Sequence, residues 1–203
     1  MRWNRLYHSI RLAMLHKSSK KAKYVKEHNL LGGMGEKCLW GPTMVPLYPK
    51  LIRLHDNVVI HKKAKLMTHD VVNKFLRKAR PDLDFGPGER IGCIEIMDNV
   101  YVGVDVLIMP DVRINRNCII SAGSVVTGDI PENSVVAGNP AKVIGRFDMY
   151  MAMRRMSRSQ YVAFPNQELP DELAAEQWVK FDAKHSKADG KAGAEPAGTG
   201  KPQ

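Results

Sequence analysis

The feature that most constrains this chain is a six-residue repeat through its middle. From Ile96 the sequence divides into IMDNVY, VGVDVL, IMPDVR, INRNCI, ISAGSV and VTGDIP. The first position of every hexad is β-branched: Ile96, Val102, Ile108, Ile114, Ile120 and Val126. The fifth is mostly small or β-branched: Val100, Val106, Val112, Cys118, Ser124 and Ile130. A period of six is neither the 3.6 of an amphipathic helix nor the 2 of a half-buried strand. It fits short strands whose first and fifth residues point inward on either side of a turn. Three such faces close one coil, and stacked coils bury a continuous β-branched ladder. The turns require residues that tolerate positive φ or a tight bend. Asp98, Gly103, Pro110, Asn115, Ala122 and Gly128, at second and third positions, suit those corners. The expectation is an all-β core.

The same phase extends upstream. Leu54, Ile60 and Leu66 are six apart, with Val58 and Ala64 at fifth positions, and thirty residues separate Leu66 from Ile96, so the register survives the gap. Within that gap residues 71–90 are charged, rich in Pro and Gly and without hexads. They read as an extended loop thrown out from the coils, and loops of that length are usually functional or disordered. An imperfect earlier coil is expected over about 36–53, where Pro42, Pro46 and Pro49 mark bends. The organisation expected is a basic helix over 1–30, a coil domain over 36–146, a helical extension over 147–182 and a disordered tail over 183–203. The extension should hold one short helix at 147–156 and another at 170–181, with Pro170 in its first turn. The tail lacks aromatic and large aliphatic residues.

Charge and cysteine content narrow the class. The net charge is +10, and residues 1–28 hold eight Arg or Lys against Glu27 alone. A basic surface favours polyanionic partners: a nucleotide cofactor, anionic lipid or nucleic acid. A solvated helix face that only aids solubility is the plainer reading. No nucleic-acid-binding motif accompanies the charge, which makes nucleic acid the weakest of the three. Cys38, Cys93 and Cys118 match no zinc spacing and no Cys-x-x-Cys, as in a reduced cytoplasmic protein without structural disulfides. Arg11 interrupts the apolar residues near the N-terminus, against a signal peptide. No apolar run approaches the roughly 18 residues needed to span a bilayer. The expected location is the cytoplasm, with peripheral membrane contact through residues 1–28 as an option.

The hexads of 96–131, followed by NSVVAGNPAKVIG at 133–145, resemble the hexapeptide-repeat acyltransferases, a superfamily that includes serine, maltose, galactoside and xenobiotic acetyltransferases. LMTHDVVNKFLR at 66–77 is similar to the sugar and capsule or lipopolysaccharide O-acetyltransferases within it. The resemblance covers residues 36–146. It implies a left-handed parallel β-helix, a handedness that periodicity does not show and that departs from the usual right-handed crossover. It further implies acetyl-CoA as co-substrate, a homotrimer, and direct transfer of acetyl to a hydroxyl of a sugar or polysaccharide precursor. An amine of an amino sugar, serine acetylation, or a non-catalytic β-helix scaffold are the competing readings.

Transfer from a thioester to a hydroxyl requires removal of the hydroxyl proton, and an imidazole with an ordinary pKa of about 6.5 can accept it near neutral pH. The resemblance assigns that role to His69; the plainer alternative is a hydrogen-bonded surface histidine. Asp70 either fixes the imidazole tautomer or caps a turn. His55 and His61, at second positions, are expected to face solvent. The resemblance places the pantetheine arm and nucleotide of CoA against Gly103, Ala122, Gly123, Ser124, Thr127, Asn139, Pro140 and Lys142, although Ala122 and Gly123 also suit simple corner geometry. Relatives often carry Lys or Arg where this chain has Gly128, and glycines where it has Met97 and Asn115. Phosphate binding then leans on Lys142, with Arg146 as a second cation. Asn73, Arg77, Arg80, Asp82 and Asp84 in the loop are candidates for acceptor hydroxyls. No histidine pair has metal-ligand spacing with supporting residues, so no metal is expected.

Overall fold

A computed structural model describes residues 2–86, 88–157 and 169–189. The chain forms two units, Met1–Met156 and Ser157–Gln203. In the first unit the strands visit three sheets in a fixed rotation. The first coil gives β1 (Gly33–Met34) to sheet 1 and β2 (Leu39–Trp40) to sheet 2. The second gives β3 (Ile52–Leu54), β4 (Val59–Ile60) and β5 (Lys65–Leu66) to sheets 1, 2 and 3. An inserted segment follows, with β6 (His69–Asp70), α3 (Val72–Ala79) and β7 (Arg90–Ile91). The rotation then resumes with β8 (Ile94–Ile96), β9 (Val100–Val102) and β10 (Leu107–Ile108), and again with β11 (Val112–Ile114), β12 (Cys118–Ile120) and β13 (Val125–Val126). Strand β14 (Ser134–Ala137) joins sheet 2, and β15 (Lys142–Arg146) pairs with it.

Within the three sheets all pairings are parallel except β14–β15. Their register stacks like residue on like: Leu54 on Ile96 on Ile114, Ile60 on Val102 on Ile120, Leu66 on Ile108 on Val126. The first and fifth positions of the hexads are buried, from Ile96 and Val100 through Val126 and Ile130. Leu66 and Ile96 sit on adjoining faces of the rotation, so the inserted segment leaves and re-enters the solenoid without shifting its register. Each such side chain removed from water contributes about 1.5–3 kcal/mol.

The corner chemistry differs from expectation. In seven of the hexads the left-handed residue is the fourth: Asn57, Lys63, Asn99, Asp105, Asp111, Asn117 and Gly123 all have positive φ. Asn and Asp tolerate that region because their short polar side chains bond locally. On one corner the amides form a ladder across coils, Asn57 Nδ2 donating to Asn99 Oδ1 at 2.9 Å and Asn99 Nδ2 to Asn117 Oδ1 at 3.0 Å. Gly103 serves a different need. A Cβ there would lie 2.7 Å from the Ala122 nitrogen of the next coil, so close backbone approach excludes a side chain.

The N-terminal region is two helices rather than one, α1 (Arg2–Met14) and α2 (Ser18–Glu27). Leu12, Ala22 and Val25 are buried in the core with Trp40. Lys21 is buried too, its Nζ donating to Gly41 O at 3.1 Å, and burial lowers its pKa. The first coil begins at β1, slightly before residue 36. Residues 71–90 are not a structureless loop, since α3 occupies nearly half of them. Helix α4 (Phe147–Met156) follows β15. In the second unit, α5 (Asp171–Asp189) runs past residue 181 into the stretch expected to be disordered. The rest of that tail lies outside the described residues.

Candidate active site

Where β5 leaves sheet 3, the chain enters the inserted segment through Thr68. This side chain is fully buried, its hydroxyl donating to Leu47 O, while its carbonyl accepts the Gly92 N–H at 2.9 Å. The two ends of the insertion are thereby tied together, and β6 pairs antiparallel with β7, His69 opposite Ile91. His69 is half-buried. Its Nδ1 is buried with no hydrogen-bond partner among the described residues. A buried polar atom left unpaired costs about 1–3 kcal/mol and calls for an explanation.

Tyr48 packs edge-on against the His69 ring, centroids 5.8 Å apart. Its backbone is left-handed (φ 49, ψ 52) although it is aromatic and precedes Pro49. Bulky residues rarely adopt that conformation, and such strain concentrates at active sites. The Tyr48 hydroxyl donates to Glu89 Oε2 at 3.1 Å, and this bond to a carboxylate raises the phenol's pKa. Beside this pair lies a cleft of about 440 Å³ lined by Tyr48, Val71, Lys74, Arg77, Glu89 and Ile91. No motif marks Tyr48, Lys74 or Glu89; for Tyr48, the segment around Pro49 signals only a bend.

The other residues singled out from sequence fall into distinct groups. Asp70 does not reach the His69 ring through Nδ1; its Oδ1 accepts the Val72 N–H at 2.6 Å, the turn-capping role. Asn73 donates to Phe85 O at 3.0 Å and Arg77 to Gly86 O. Asp84 accepts the Gly86 N–H at 2.8 Å, and Arg80 pairs with Asp82 at 2.6 Å. All five loop candidates hold the insertion to itself, and of these only Arg77 lines the cleft.

The carried-over CoA positions lie at the two edges of sheet 3. Gly103, Ala122 and Gly123 occupy the corner by which the chain enters it, with Gly103 N–H on Ile120 O and Gly123 N–H on Val104 O, both at 2.9 Å. The turn bearing Asn139 and Pro140, joined by a cis peptide, is bound there: Val125 N–H donates to Gly138 O at 3.0 Å and Ala141 N–H to Val125 O at 2.8 Å. Lys142 is exposed at the start of β15. Arg146 is engaged with Asp148, which holds that carboxyl far below its usual range. Thr127 is exposed at the opposite edge, just after β13, as Thr68 and His69 follow β5. Ser124 is a correction: it is fully buried, with its hydroxyl on Ser121 O at 2.7 Å and its carbonyl accepting the Leu107 N–H, so its side chain serves the core.

Neither His55 nor His61 is simply solvated. His55 Nε2 lies 3.2 Å from Glu95, which also binds Arg113, and these contacts lower the Glu95 pKa. His61 has a buried, unpaired Nδ1 and sits one coil below Gly103, since Ile60 pairs with Val102. That stacking was readable from the hexad phase. The third such atom, Trp40 Nε1, is at the helix-capped end.

Residues 94–128 match the family model described as bacterial transferase hexapeptide (six repeats). Protein CapG of Staphylococcus aureus is 38% identical over 102 residues, half of this chain and 56% of that one. Among solved structures, galactoside acetyltransferase in complex with coenzyme A is 26% identical, covering 83% of this chain and 88% of that one with a TM-score of 0.55, and a second neighbour has a TM-score of 0.53. That neighbour, a hexapeptide-repeat acetyltransferase of Vibrio cholerae complexed with acetyl-CoA, is 21% identical over 70% of this chain and 84% of its own, and shows the fold alone. The chain spans between a quarter and just over half the length of the curated relatives it matches. The repeat is of the transferase hexapeptide type.

Proposed function

We propose that this chain, its coils built from transferase hexapeptides, is an O-acetyltransferase that moves acetyl from acetyl-CoA to a hydroxyl of a sugar or polysaccharide precursor. The observation that carries this reading is His69, whose imidazole packs against Tyr48 of the cleft wall and has a buried nitrogen with no partner among the described residues. Sheet 3 separates that imidazole from the corner of Gly103, Ala122 and the 138–141 turn. A pantetheine arm along that face would run from Asn139, Pro140 and Lys142 toward Thr127 and His69. Exposed backbone and small side chains at Ala122 and Gly123 permit its close approach.

Acetyl-CoA supplies the activated carbonyl. His69 accepts the acceptor's hydroxyl proton as the oxygen bonds to the carbonyl carbon, and returns it to the departing thiolate. Asp70 fixes the turn that presents the ring, and Tyr48 fixes its edge. The coil has the left-handed sense of its relatives. The working form is a homotrimer in the cytoplasm, where acetyl-CoA is consumed. Supporting assembly, Leu39, Val59, Tyr101 and Ile119 form an outward apolar stripe across sheet 2, and an open groove of about 1100 Å³ runs between part of this stripe and α4. A second copy would cover it.

The test is release of CoA from acetyl-CoA by purified protein offered sugar acceptors, with mass spectrometry of the product to tell ester from amide. His69→Ala should lower turnover about 10²–10⁴-fold while CoA binding by calorimetry persists. Undiminished turnover in that variant ends the assignment.

A further inference from the structure

Helix α1 is docked on the first coils by one side only. Ser9 Oγ accepts the Val45 N–H at 3.1 Å, His8 Nδ1 bonds the Tyr24 hydroxyl at 2.8 Å, and Leu12 is fully buried. These contacts fix which side faces outward. On that side Leu6, Tyr7, Ile10 and Met14 are between 51% and 62% exposed. At 100° per residue the four fall within an arc of about 100°. The helix contains no acidic residue, and Arg5 and Arg11 are exposed on it. Lys17 and Lys20 continue the basic surface at the start of α2. The exposed apolar arc is therefore held rigidly outward, with Arg11 beside it and the exposed Lys17 and Lys20 beyond its C-terminal end, the arrangement of a helix lying in a lipid interface.

We infer that α1 seats the protein on an anionic bilayer, its apolar arc among the acyl chains and its cations at the headgroups. A nucleic acid would use the cations but not the arc. A second copy would use the arc but would gain nothing from a border of like charge. No described helix is long and apolar enough to cross a membrane, so the contact is peripheral. The inference is independent of the transfer chemistry. It places the enzyme where a lipid-linked acceptor would be presented.

The experiment is co-sedimentation of the full chain with phosphatidylcholine vesicles, with and without phosphatidylglycerol, at low and high salt. Binding is expected to the anionic vesicles alone and to weaken with salt. Leu6→Asp with Ile10→Asp should weaken it at least tenfold while the melting temperature and CoA release with a soluble acceptor stay at their parent values, since both side chains are exposed. Lys17→Glu with Lys20→Glu should act likewise and lose the salt dependence. Equal binding to neutral vesicles, unaltered binding by the aspartate variant, or no vesicle binding with self-association that the aspartate variant abolishes, would overturn it. Capture by duplex DNA that the aspartate variant leaves intact would overturn it in favour of nucleic acid.

Discussion

The stacked coils and the inserted segment between β5 and β8 are made by one chain on opposite principles. In the coils, the inward residues are aliphatic and superimposed, and the corner amides bond from one coil to the next. In the insertion, α3 buries no side chain, and Asn73, Arg77, Arg80 and Asp84 bond within the segment itself. Its ties to the coils are at its base, through Thr68–Leu47, Tyr48–Glu89 and the Arg90–Asp111 pair. The coils supply a rigid frame. The insertion, poor in buried apolar contacts, belongs to the low-stability parts from which binding segments are drawn. His69 stands at the junction, held by the first and facing the second.

Four substitutions test how sharp that division is. Ile114→Ala, fully buried in the last strand of sheet 1, should cost about 2–5 kcal/mol in urea unfolding and leave turnover per folded molecule unchanged. A loss below about 1 kcal/mol would mean the ladder is more forgiving than its packing suggests. Gly103→Ala should cost about 1–3 kcal/mol, because its Cβ meets backbone rather than a movable side chain. Gly128→Ala, where nothing lies within 4 Å, is the control and should stay within about 0.5 kcal/mol. Arg77→Met should leave the melting curve within about 0.5 kcal/mol of the parent yet raise the acceptor KM several-fold, with CoA affinity unchanged. If stability falls instead, the insertion is part of the cooperative frame.

The smallest effect concerns acid. The Glu95 carboxyl has its pKa lowered by His55 and Arg113 in the folded protein. It therefore adds stability above its ordinary carboxylate range, and that contribution is lost as pH falls through the lowered folded value. Glu95→Gln should flatten the acid side of the stability profile below about pH 4.3. An unchanged acid limb would assign the acid sensitivity elsewhere.

The frame was legible in the sequence because its period is strict. First and fifth positions specify the interior, and the thirty residues from Leu66 to Ile96 preserve the phase. The corners were misplaced by one or two positions, although Asn99, Asp105, Asp111, Asn117 and Gly123 stand six apart and could have been read. Helix α3 also left a trace in Val72, Phe75, Leu76 and Ala79, a helical spacing hidden by the Pro- and Gly-rich residues after it. Of the site, His69 was legible through its motif. Tyr48 was not, because its approach to His69 depends on a strained backbone and on the bond from Thr68 to Leu47. Ser124 misled because the motif fixes identity without saying which way a side chain points.

Sheet 2 is finished differently at its two margins. Helix α2 lies against β2, and β15 turns back antiparallel on β14 with Gly145 opposite Val135. A bare parallel rung is a template for one more rung, from this molecule or from a neighbour. These two terminations set the number of rungs from within the chain, so the protein has a defined length where an unfinished prism would grow into a fibre.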